Sequence, residues 1–358
     1  MRFIIRKIPL YIFIAFNIVL VVAMNLCAYA TTLNSNTYPE YSHLGMLFPL
    51  FLTGSAAFIV FWLIFKRRCM LISIIGMALC GSSIRTYIPL NYPSAPPEGS
   101  IKVMSYNVMN FGKHDSIPWD ENYIVQYINW SGADIVCLQE GGNTKGTTVF
   151  EMFDSIYPHI VVDSVKNAPH LILLSKYPVL SSQRIEYESE TNASFAHTLL
   201  MGSDTLLVVN NHFESYKLKD KDKDDYKTII KDPEDDANEQ RYDSLVFKLN
   251  AANAIRALQA DTVARFIEQS TCRYILCVGD FNDPSLSYTH YRLTRHLNDA
   301  YTRSGNGPGF SYNRSGMYFR IDHILTSPNI TSYKTKVDCY SRMSDHYPII
   351  SYLKFGDK

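Results

Sequence analysis

The sequence predicts an α/β domain that follows an N-terminal helical membrane region. Long apolar runs fill most of the first 90 residues. Beyond residue 100, short β-prone runs alternate with segments of helical period, which is the pattern expected of an α/β fold. With 358 residues, the chain is long enough for one large domain and an appendage.

The charge of the chain is unevenly spread, although it sums to zero. Residues 1–98 hold seven of the 34 basic residues and two of the 34 acidic ones, which leaves 27 basic and 32 acidic residues, a net charge of −5, in residues 99–358. A tight nucleic-acid binder carries a strongly basic surface. The composition therefore argues against avid polynucleotide binding, although weak processing of such a substrate stays open.

Three apolar runs are predicted to cross a membrane as helices: residues 8–30, 44–65 and 69–88. The first run is longer than the roughly 7–15 residues of a signal-peptide core and approaches the ~20 residues that span a bilayer. Its last residues, Ala28-Tyr29-Ala30, resemble a cleavage site, but the second run argues against simple cleavage and secretion. The third run is weakened by Gly81-Ser82-Ser83 and by Arg85, which would have to reach the interface.

Basic residues predict how this region is oriented. The N-terminus and the link of residues 66–68 are basic, whereas residues 31–43 contain no Lys or Arg. The positive-inside rule places the first two in the cytoplasm. Three spans then put the following domain on the non-cytoplasmic side, in a bacterial cell outside the inner membrane; with two spans it would be cytoplasmic. Residues 91–99 are predicted to be a linker from their proline content.

The domain is predicted to cover residues 100–358. Six strand-like runs carry polar residues at or near their ends: 101–108, 134–140, 171–178, 206–213, 274–278 and 317–325. A terminal strand is predicted over 349–353. Apolar residues at helical spacing predict helices over about 119–130 and 245–269. Residues 214–243 contain seven basic and eleven acidic residues, and we predict a solvated, charged insertion there.

The stretch Gly279-Asp280-Phe281-Asn282-Asp283 follows an apolar β-prone run and precedes a proline. In an extended chain, side chains two residues apart point the same way, so Asp280 and Asn282 could enter one pocket. A carboxylate beside an amide can polarise a water molecule and hold a substrate oxygen. Alone, the stretch is explained equally well as a turn with Asx hydrogen bonds, and Asp283 is assigned to that turn.

Eight polar residues at strand ends are candidates for a single site, because an α/β scaffold gathers such side chains into one cleft: Asn107, Glu140, His212, Asp280, Asn282, Asp322, Asp345 and His346. Taken singly, Glu140 could cap a helix and His212 could be a satisfied structural histidine. Carboxylates and amides without thiolates suit a hard cation such as Mg²⁺ or Mn²⁺. With histidines to stabilise charge or move protons, the set suits metal-assisted attack of water on phosphorus.

Six ordered motifs resemble those of the endonuclease/exonuclease/phosphatase superfamily, which includes deoxyribonuclease- and exonuclease III-like proteins: SYNV (105–108), LQE (138–140), NHF (211–213), GDFN (279–282), RID (320–322) and SDHYP (344–348). The resemblance covers roughly residues 100–356. It implies a four-layered α/β sandwich, with two mixed sheets packed face to face and helices outside.

The resemblance also implies roles for single residues. Glu140 resembles the principal metal ligand, assisted by Asn107 and Asp345. Asp280 resembles the group that orients or deprotonates the attacking water, and Asn282 the residue that holds it or the phosphate.

His346 and His212 resemble the two histidines that contact the scissile phosphate, and Asp322 the carboxylate that orients His346. Some members have an acid two residues after the first motif's asparagine, where this chain has Met109. The exact ligand set and the number of metal ions therefore stay open.

The resulting expectation is a membrane-anchored, Mg²⁺-dependent phosphodiesterase of generic endonuclease/exonuclease type. Alternatives are a phospholipase of sphingomyelinase type, an inositol-phosphate phosphatase, or a catalytically silent membrane-bound binding module. The expected partners are a phosphate-ester substrate and the lipid bilayer, with no protein partner. The seven cysteines form no CxxC pair, which argues against zinc, while pairing of Cys272 with Cys339 stays open.

Overall fold

The structure is a computed structural model. It describes residues 8–112, 118–142, 148–164, 170–189, 191–218, 220–232, 238–314 and 316–356.

Four helices form the N-terminal region: α1 Ile8–Ala30, α2 Phe48–Phe65, α3 Met70–Leu79 and α4 Gly81–Tyr87. Two helices, within residues 10–30 and 39–65, are long and apolar enough to cross a membrane. Helices α3 and α4 are bent by 71° and count as a third candidate only if the pair is one span. The third predicted span is therefore broken at Cys80, immediately before Gly81-Ser82-Ser83.

Helices α1 and α3 run in the same direction and pack closely. Ser73 Oγ donates to Asn17 Oδ1 at 2.9 Å, and Asn25 Nδ2 donates to the carbonyl oxygen of Gly76 at 3.1 Å. A Cβ atom on Gly76 would lie 2.2 Å from Val21 Cγ1. Glycine is therefore needed there for the backbones to approach, as is common between membrane helices.

Helix α2 runs antiparallel to α1. The rings of Phe13 and Phe61 lie 5.0 Å apart near one end of the bundle, and those of Phe48 and Tyr87 lie 6.4 Å apart near the other. The basic link of residues 66–68 consequently lies at the end of the bundle away from Tyr87, from which the chain continues into the domain.

The first sheet has the strand order β13-β14-β1-β2-β4-β3. Strands β1 and β2 are parallel, and the other neighbours are antiparallel. The bounds are β1 Ile101–Asn107, β2 Ile135–Gly141, β3 His159–Asp163, β4 His170–Ser175, β13 Ile330–Val337 and β14 Ile349–Phe355.

The second sheet has the strand order β5-β6-β7-β8-β12-β9 and also contains one parallel pair, β7 with β8. The bounds are β5 Val179–Ile185, β6 Ala193–Met201, β7 Asp204–His212, β8 Tyr274–Asp280, β9 Asn298–Asp299 and β12 Asp322–Thr326. A separate hairpin pairs β10 Tyr312–Arg314 with β11 Met317–Phe319.

The two sheets pack face to face around a buried apolar core. Val103, Cys137 and Leu173 of the first sheet join Val208 and Leu276 of the second in this core. Because the central strands are covered on both faces, several of them, such as β2, β4 and β8, are nearly continuous apolar runs rather than alternating ones.

Helices cover the outer faces of both sheets. Among the described residues, the helices of the domain include α5 Tyr123–Trp130, α6 Val149–Phe153, α7 Asp220–Lys231, α8 Asn238–Glu268, α9 Tyr288–Thr294 and α10 Ala300–Ser304. Ile124 and Ile128 of α5 pack on the first sheet, and Val263 and Ile267 of α8 pack on the second. The predicted four-layered α/β sandwich behind a helical N-terminal region is thus confirmed.

The predicted insertion over residues 214–243 is largely helical where the structure describes it; residues 219 and 233–237 lie outside the described residues. Helix α7 lies within residues 214–243, and α8 begins at Asn238, seven residues before the predicted start. Ion pairs hold the two helices together, since Lys248 Nζ lies 2.5 Å from Asp222 Oδ1 and Arg241 Nε lies 3.3 Å from Asp225 Oδ1. The seven cysteines are all free thiols, including Cys272 and Cys339.

The connection between α1 and α2 is docked on the domain. Asn34 Nδ2 donates to Asp261 Oδ2 at 3.1 Å and to the hydroxyl of Tyr288 at 3.0 Å. Asn253 Nδ2 donates to Ser42 Oγ at 2.8 Å. The end of the helical bundle therefore has a fixed position against α8 and α9.

A second contact lies where α4 meets the domain. Arg320 donates to the carbonyl oxygen of Thr86 at 2.6 Å, and Asn91 Nδ2 donates to that of Gly305 at 2.6 Å. The first residue of the predicted linker is thus hydrogen-bonded to the domain.

Candidate active site

Four strands from two sheets end at one cleft. Asn107 and Glu140 lie at or next to the ends of the neighbouring strands β1 and β2. His212 and Asp280 lie at the ends of β7 and β8, where they pair with each other. Asp322 begins β12 directly opposite Asp280. All of these residues are buried except Glu140, which is half-buried. Residues far apart in sequence meet here because each parallel pair ends at the same edge of its sheet.

Glu140 reaches the cleft through a β-bulge. The pairing of β2 with β4 shifts register between Leu138 and Gly141, and Glu140 has a φ of 51°. A bulge adds a residue to one strand and redirects its side chain. A glutamate in the left-handed region costs about 1–3 kcal/mol, so the surrounding sheet holds this conformation.

Asp280 and Asn282 both line the cleft, but not because they share an extended strand. Strand β8 ends at Asp280, and Asn282 has a φ of 50°. The backbone N–H of Asn282 donates to Asp280 Oδ1 at 2.8 Å, while its Nδ2 donates to the carbonyl oxygen of Phe213 at 2.9 Å. A left-handed turn therefore brings the two side chains to the cleft. The hydrogen bond from the Asn282 side chain to Phe213 stabilises that turn.

A network of polar atoms joins the strand ends. Asn107 Nδ2 donates to Glu140 Oε1 at 3.1 Å and to Asp280 Oδ2 at 3.0 Å. His212 Nε2 lies 3.7 Å from Glu140 Oε1 and 3.9 Å from Asp280 Oδ2. The two carboxylates thus face the same donors from opposite sheets.

His346 lies between two carboxylates. Its Nδ1 is 2.8 Å from Asp322 Oδ2, and its Nε2 is 3.7 Å from Asp280 Oδ2. Burial alone would lower the pKa of His346, but the charges of Asp322 and Asp280 outweigh it and raise the pKa to about 10. Burial raises the pKa of Asp280. Asp322 adds to that rise, whereas His346 and His212 oppose it.

Asp345 and its neighbours form the rim of the cleft. Asp345 is half-buried and lines the same cavity as Glu140 and His346. Ser344 Oγ donates to the carbonyl oxygen of Asn107 at 2.7 Å and accepts from the backbone N–H of His346 at 3.2 Å. Ser344 therefore ties this loop to the end of β1.

All eight residues named from the sequence lie in or beside this cleft, but the sequence did not reveal two others. Tyr312 forms an isolated β-bridge with His346, and their rings lie 5.2 Å apart. Ser311 Oγ accepts from the backbone N–H of Asp322 at 3.0 Å. Neither residue lies at the end of a long apolar run, which is the pattern that identified the other candidates.

The donors at this cleft suit a hard divalent cation. Asn107 Nδ2 donates to both Glu140 and Asp280, which brings two carboxylates and an amide together. Among the described residues, possible ligand atoms of Asp280, Asp322 and His346 also lie within 4.8 Å of one another. Carboxylate and amide oxygens are the ligands that Mg²⁺ and Mn²⁺ prefer.

A second group, His290, Asp299 and His323, has ligand atoms at similar separations. It is an ion-pair cluster, because Arg320 lies 2.8 Å from Asp299 Oδ2 and is almost completely buried. Burial alone would raise the pKa of Asp299, but Arg320 and His290 outweigh it and hold the pKa well below its usual range. This cluster therefore stabilises the fold behind the cleft.

The fold and the cleft define the class of protein: a two-sheet α/β sandwich with carboxylates, amides and histidines at its strand ends, as in hydrolases of phosphoesters. The chain belongs to the Endonuclease/Exonuclease/phosphatase family, whose model matches residues 104–346. Members of this family typically hydrolyse phosphoesters and generally use a divalent metal. A model described as a domain of unknown function matches residues 10–87. No curated protein matches the chain.

Solved structures show the same fold at low sequence identity. The human Nocturnin catalytic domain with bound sulfate is 15% identical, with a TM-score of 0.51, covering 73% of this chain and 99% of that chain. TDP2 of D. rerio, complexed with single strand DNA product, is 14% identical, with a TM-score of 0.50 and coverages of 72% and 100%. A family member from Beutenbergia cavernae is also 14% identical, with a TM-score of 0.50 and coverages of 72% and 72%.

Proposed function

We propose that the protein is a membrane-anchored, divalent-metal-dependent phosphodiesterase in which water attacks phosphorus. The observation that carries this proposal is the meeting of Glu140, Asp280 and His346 at one cleft, with an amide between the two carboxylates. Three kinds of group that phosphoester hydrolysis needs are thereby within reach of one phosphate: metal ligands, a base and cationic donors.

The metal site in this proposal is made by Glu140, Asn107 and Asp345. Mg²⁺ or Mn²⁺ bound there supplies positive charge to the phosphoryl oxygens. Glu140 is half-buried and faces the cavity, so its carboxylate can bind an ion from solvent.

Asp280 is the proposed base. Its Oδ2 accepts a proton from water as the water oxygen bonds to phosphorus, and the bond between phosphorus and the leaving oxygen breaks. His346, held by Asp322, and His212 donate to phosphoryl oxygens, and Asn282 positions the water or the phosphate. A buried imidazole cation between two carboxylates suits this task, because it stabilises developing negative charge without moving.

The anchoring proposal is a three-pass arrangement, with α3 and α4 together as the third span and the catalytic domain outside the cytoplasm, as at a bacterial inner membrane. Helix α1 has 23 residues, about 35 Å of helix, which is enough for the ~30 Å hydrocarbon layer. The basic link of residues 66–68 lies at the bundle end away from the domain, which agrees with the positive-inside rule.

A substrate screen on the full-length protein tests the activity. Bis(4-nitrophenyl) phosphate, single-stranded DNA, RNA, sphingomyelin, phosphatidylinositol phosphates and inositol phosphates would be assayed with Mg²⁺, with Mn²⁺ and with EDTA. We expect hydrolysis of at least one phosphodiester, loss of turnover in EDTA and recovery when excess Mg²⁺ or Mn²⁺ is added. Turnover that ignores chelation would contradict the metal site, and binding without any turnover would favour a silent binding module.

A further inference from the structure

The residues of the cleft line a cavity whose wall is both polar and apolar. The cavity has a volume of about 290 Å³. Besides Glu140, Asp280 and His346, its wall includes a set of large apolar side chains: Met46, Leu218, Leu245, Leu249, Met317 and Phe319. Water and phosphate gain nothing from such a wall, whereas burying an apolar chain against it is favourable.

One wall residue comes from the membrane region. Met46 lies in the connection between α1 and α2, and the backbone around it is fixed. A Cβ atom on Gly45 would lie 2.1 Å from the carbonyl oxygen of Leu286, so the connection lies directly on the domain there. His43 Nδ1 lies 3.1 Å from Asn250 Oδ1 of α8. The N-terminal region therefore completes the cavity as well as lying beside it.

Exposed apolar side chains follow Met46 in the sequence. Leu47 and Leu50, which continue from Met46 into α2, are 43% and 67% exposed. The cavity wall at Met46 is therefore joined along the chain to α2, which is proposed to lie in the bilayer.

The charge of the wall does not suit a polynucleotide. Among the described residues that line the cavity, outside the histidine of the cleft, Lys217 is the one cation, and it forms an ion pair with Glu214 at 2.8 Å. Single-stranded nucleic acids are held by a positively charged groove that follows the backbone. The wall offers hydrocarbon contacts instead.

We propose that the substrate is an amphiphilic phosphodiester, a membrane lipid whose phosphate lies at Glu140 and His346 and whose hydrocarbon chain lies against Met46, Leu249 and Phe319. This inference rests on the proposed phosphodiesterase function and narrows it. The membrane region then has two roles, since it anchors the domain and forms part of the substrate site.

A homologous series of esters tests the proposal. Methyl, butyl, octyl and dodecyl 4-nitrophenyl phosphate would be assayed with the full-length protein in nanodiscs, with Mg²⁺, below the concentrations at which the esters aggregate. Water attacks phosphorus, the bond to the 4-nitrophenyl oxygen breaks, and the products are an alkyl phosphate and 4-nitrophenolate. We expect kcat/KM to rise about 3- to 4-fold per methylene until the chain fills the cavity, and then to level off.

Paired variants connect the chain-length effect to the cavity. Leu249→Asn and Met46→Asn place polar groups on the wall and should lower the dodecyl-to-methyl ratio of kcat/KM at least 10-fold. Leu258→Asn is the matched control, because Leu258 is on the same helix, is 51% exposed and does not line the cavity. Its ratio should equal that of the unaltered protein.

The failures are distinguishable. If the methyl and dodecyl esters are cleaved at equal rates, the lipid inference is wrong and the phosphodiesterase function stands. Faster cleavage of single-stranded DNA than of every ester would also overturn the inference and would favour a nuclease. If none of these substrates is cleaved with Mg²⁺ or Mn²⁺, the proposed function fails first. If Leu258→Asn and Leu249→Asn lower the dodecyl-to-methyl ratio of kcat/KM equally, the chain-length effect does not arise from this cavity.

Discussion

Asp280 is almost fully buried, at 1% exposure, yet it contacts Asn107 and lies near two histidines. Burial makes the carboxylate costly to keep ionised and raises its pKa, and Asp322 adds to that rise. His346, His212 and Asn107 oppose the rise and so support the ionised form, which a base requires. Asn282 completes the arrangement from the backbone side, where its N–H donates to Asp280 Oδ1.

We predict that Asp280→Asn lowers kcat by about 10²- to 10⁴-fold, the usual contribution of a positioned base. The amide keeps the shape of the side chain but cannot accept the proton from water. Steady-state assays on the best substrate of the screen would measure kcat, and the thermal unfolding midpoint would serve as the folding control. His346→Ala should also lose turnover; full turnover in both variants would refute the site.

Gly279 is required by the close approach of two strands. It has a φ of 134°, and a Cβ atom there would lie 2.0 Å from the carbonyl oxygen of Asn211. The backbone of β8 therefore could not stay against β7 with a larger residue, and Asp280 is the next residue along the chain.

We predict that Gly279→Ala destabilises the fold and lowers activity, whereas Gly202→Ala does neither to the same extent. Gly202 also has a positive φ, 65°, but no atom lies within 4 Å of its Cβ position. Ala at Gly202 bears only the strain of the left-handed region, about 1 kcal/mol, so the difference in unfolding midpoint measures the steric clash at Gly279 together with the larger strain of its φ of 134°. Equal midpoints would show that the strands separate easily.

At the scale of single elements, burial on both faces makes a strand easier to predict from the sequence. Strands β2, β4, β7 and β8 are central and contain nearly continuous apolar runs, whereas β1 alternates at Lys102 and Ser105. The central strand β6 contains Ser194, His197 and Thr198 and is not predicted from its sequence. Strands β5 and β13 lie at sheet edges, and β5 is mostly exposed along Leu180–Gln183, so the sequence contains no comparable apolar run. Propensity alone does not predict such strands, because pairing with β6 or β14 determines their conformation.

The start of α8 shows the same dependence on tertiary contacts. Its first two turns are polar, and we predicted a helix only from residue 245. Ion pairs with α7 stabilise these turns. The hydrophobic pattern of α8 itself does not predict them, because they depend on contacts with another helix. The candidate site was easier to predict than these elements, because Asn107, His212 and Asp280 end central strands and Glu140 lies one residue before the end of another.

The ion pair behind the cleft belongs to the element scale, since it joins β9 to the loop before β12 and to α4. Arg320 and Asp299 are both nearly fully buried, and Arg320 also donates to the carbonyl oxygen of Thr86. Its guanidinium lies 4.5 Å from the centre of the Tyr301 ring.

We predict that Arg320→Met lowers the free energy of unfolding by about 3–5 kcal/mol, because it leaves the buried carboxylate of Asp299 without its cation. Arg273→Met is the control: Arg273 pairs with Asp204 at 2.6 Å, both side chains are about one-third exposed, and the expected loss is below about 1 kcal/mol. Thermal or urea unfolding would measure both, and similar losses would contradict the assignment.

The pKa of Asp299 adds a pH dependence to this prediction. Because the folded pKa lies well below the usual value, ionised Asp299 stabilises the protein above about pH 4, and this contribution is lost as the pH falls further. The difference in stability between the unaltered protein and Arg320→Met should therefore shrink in acid. A difference that stays constant from pH 6 to pH 3 would contradict it.

For the whole molecule, the relation between the helical bundle and the domain determines which compartment holds the active site. The link of residues 66–68 and the domain lie at opposite ends of the bundle, so a membrane around the bundle would separate them. The basic residues of the loops are evident from the sequence, but the bend between α3 and α4 is not. The bend lies where an apolar run changes to small polar residues.

We predict that a reporter fused at the C-terminus is active only when it works outside the cytoplasm. Alkaline phosphatase should be active there, and a green fluorescent protein that folds only in the cytoplasm should be dark. Fusions at the link of residues 66–68 should show the opposite pattern, which provides the control. A fluorescent C-terminal fusion would show that the bent pair does not cross.

The pairing of β1 with β14 has a consequence for how the protein is made. Ile101 pairs with Leu353, 252 positions later, so the first sheet joins the start of the domain to a strand synthesised long afterwards. The second sheet needs only residues 179–326 and can assemble earlier. Contacts between such distant segments form slowly, and until β14 has been synthesised, β1 keeps an unpaired edge. Because Asn107 and Glu140 belong to that late sheet, the candidate active site is completed only when the last strand of the domain pairs.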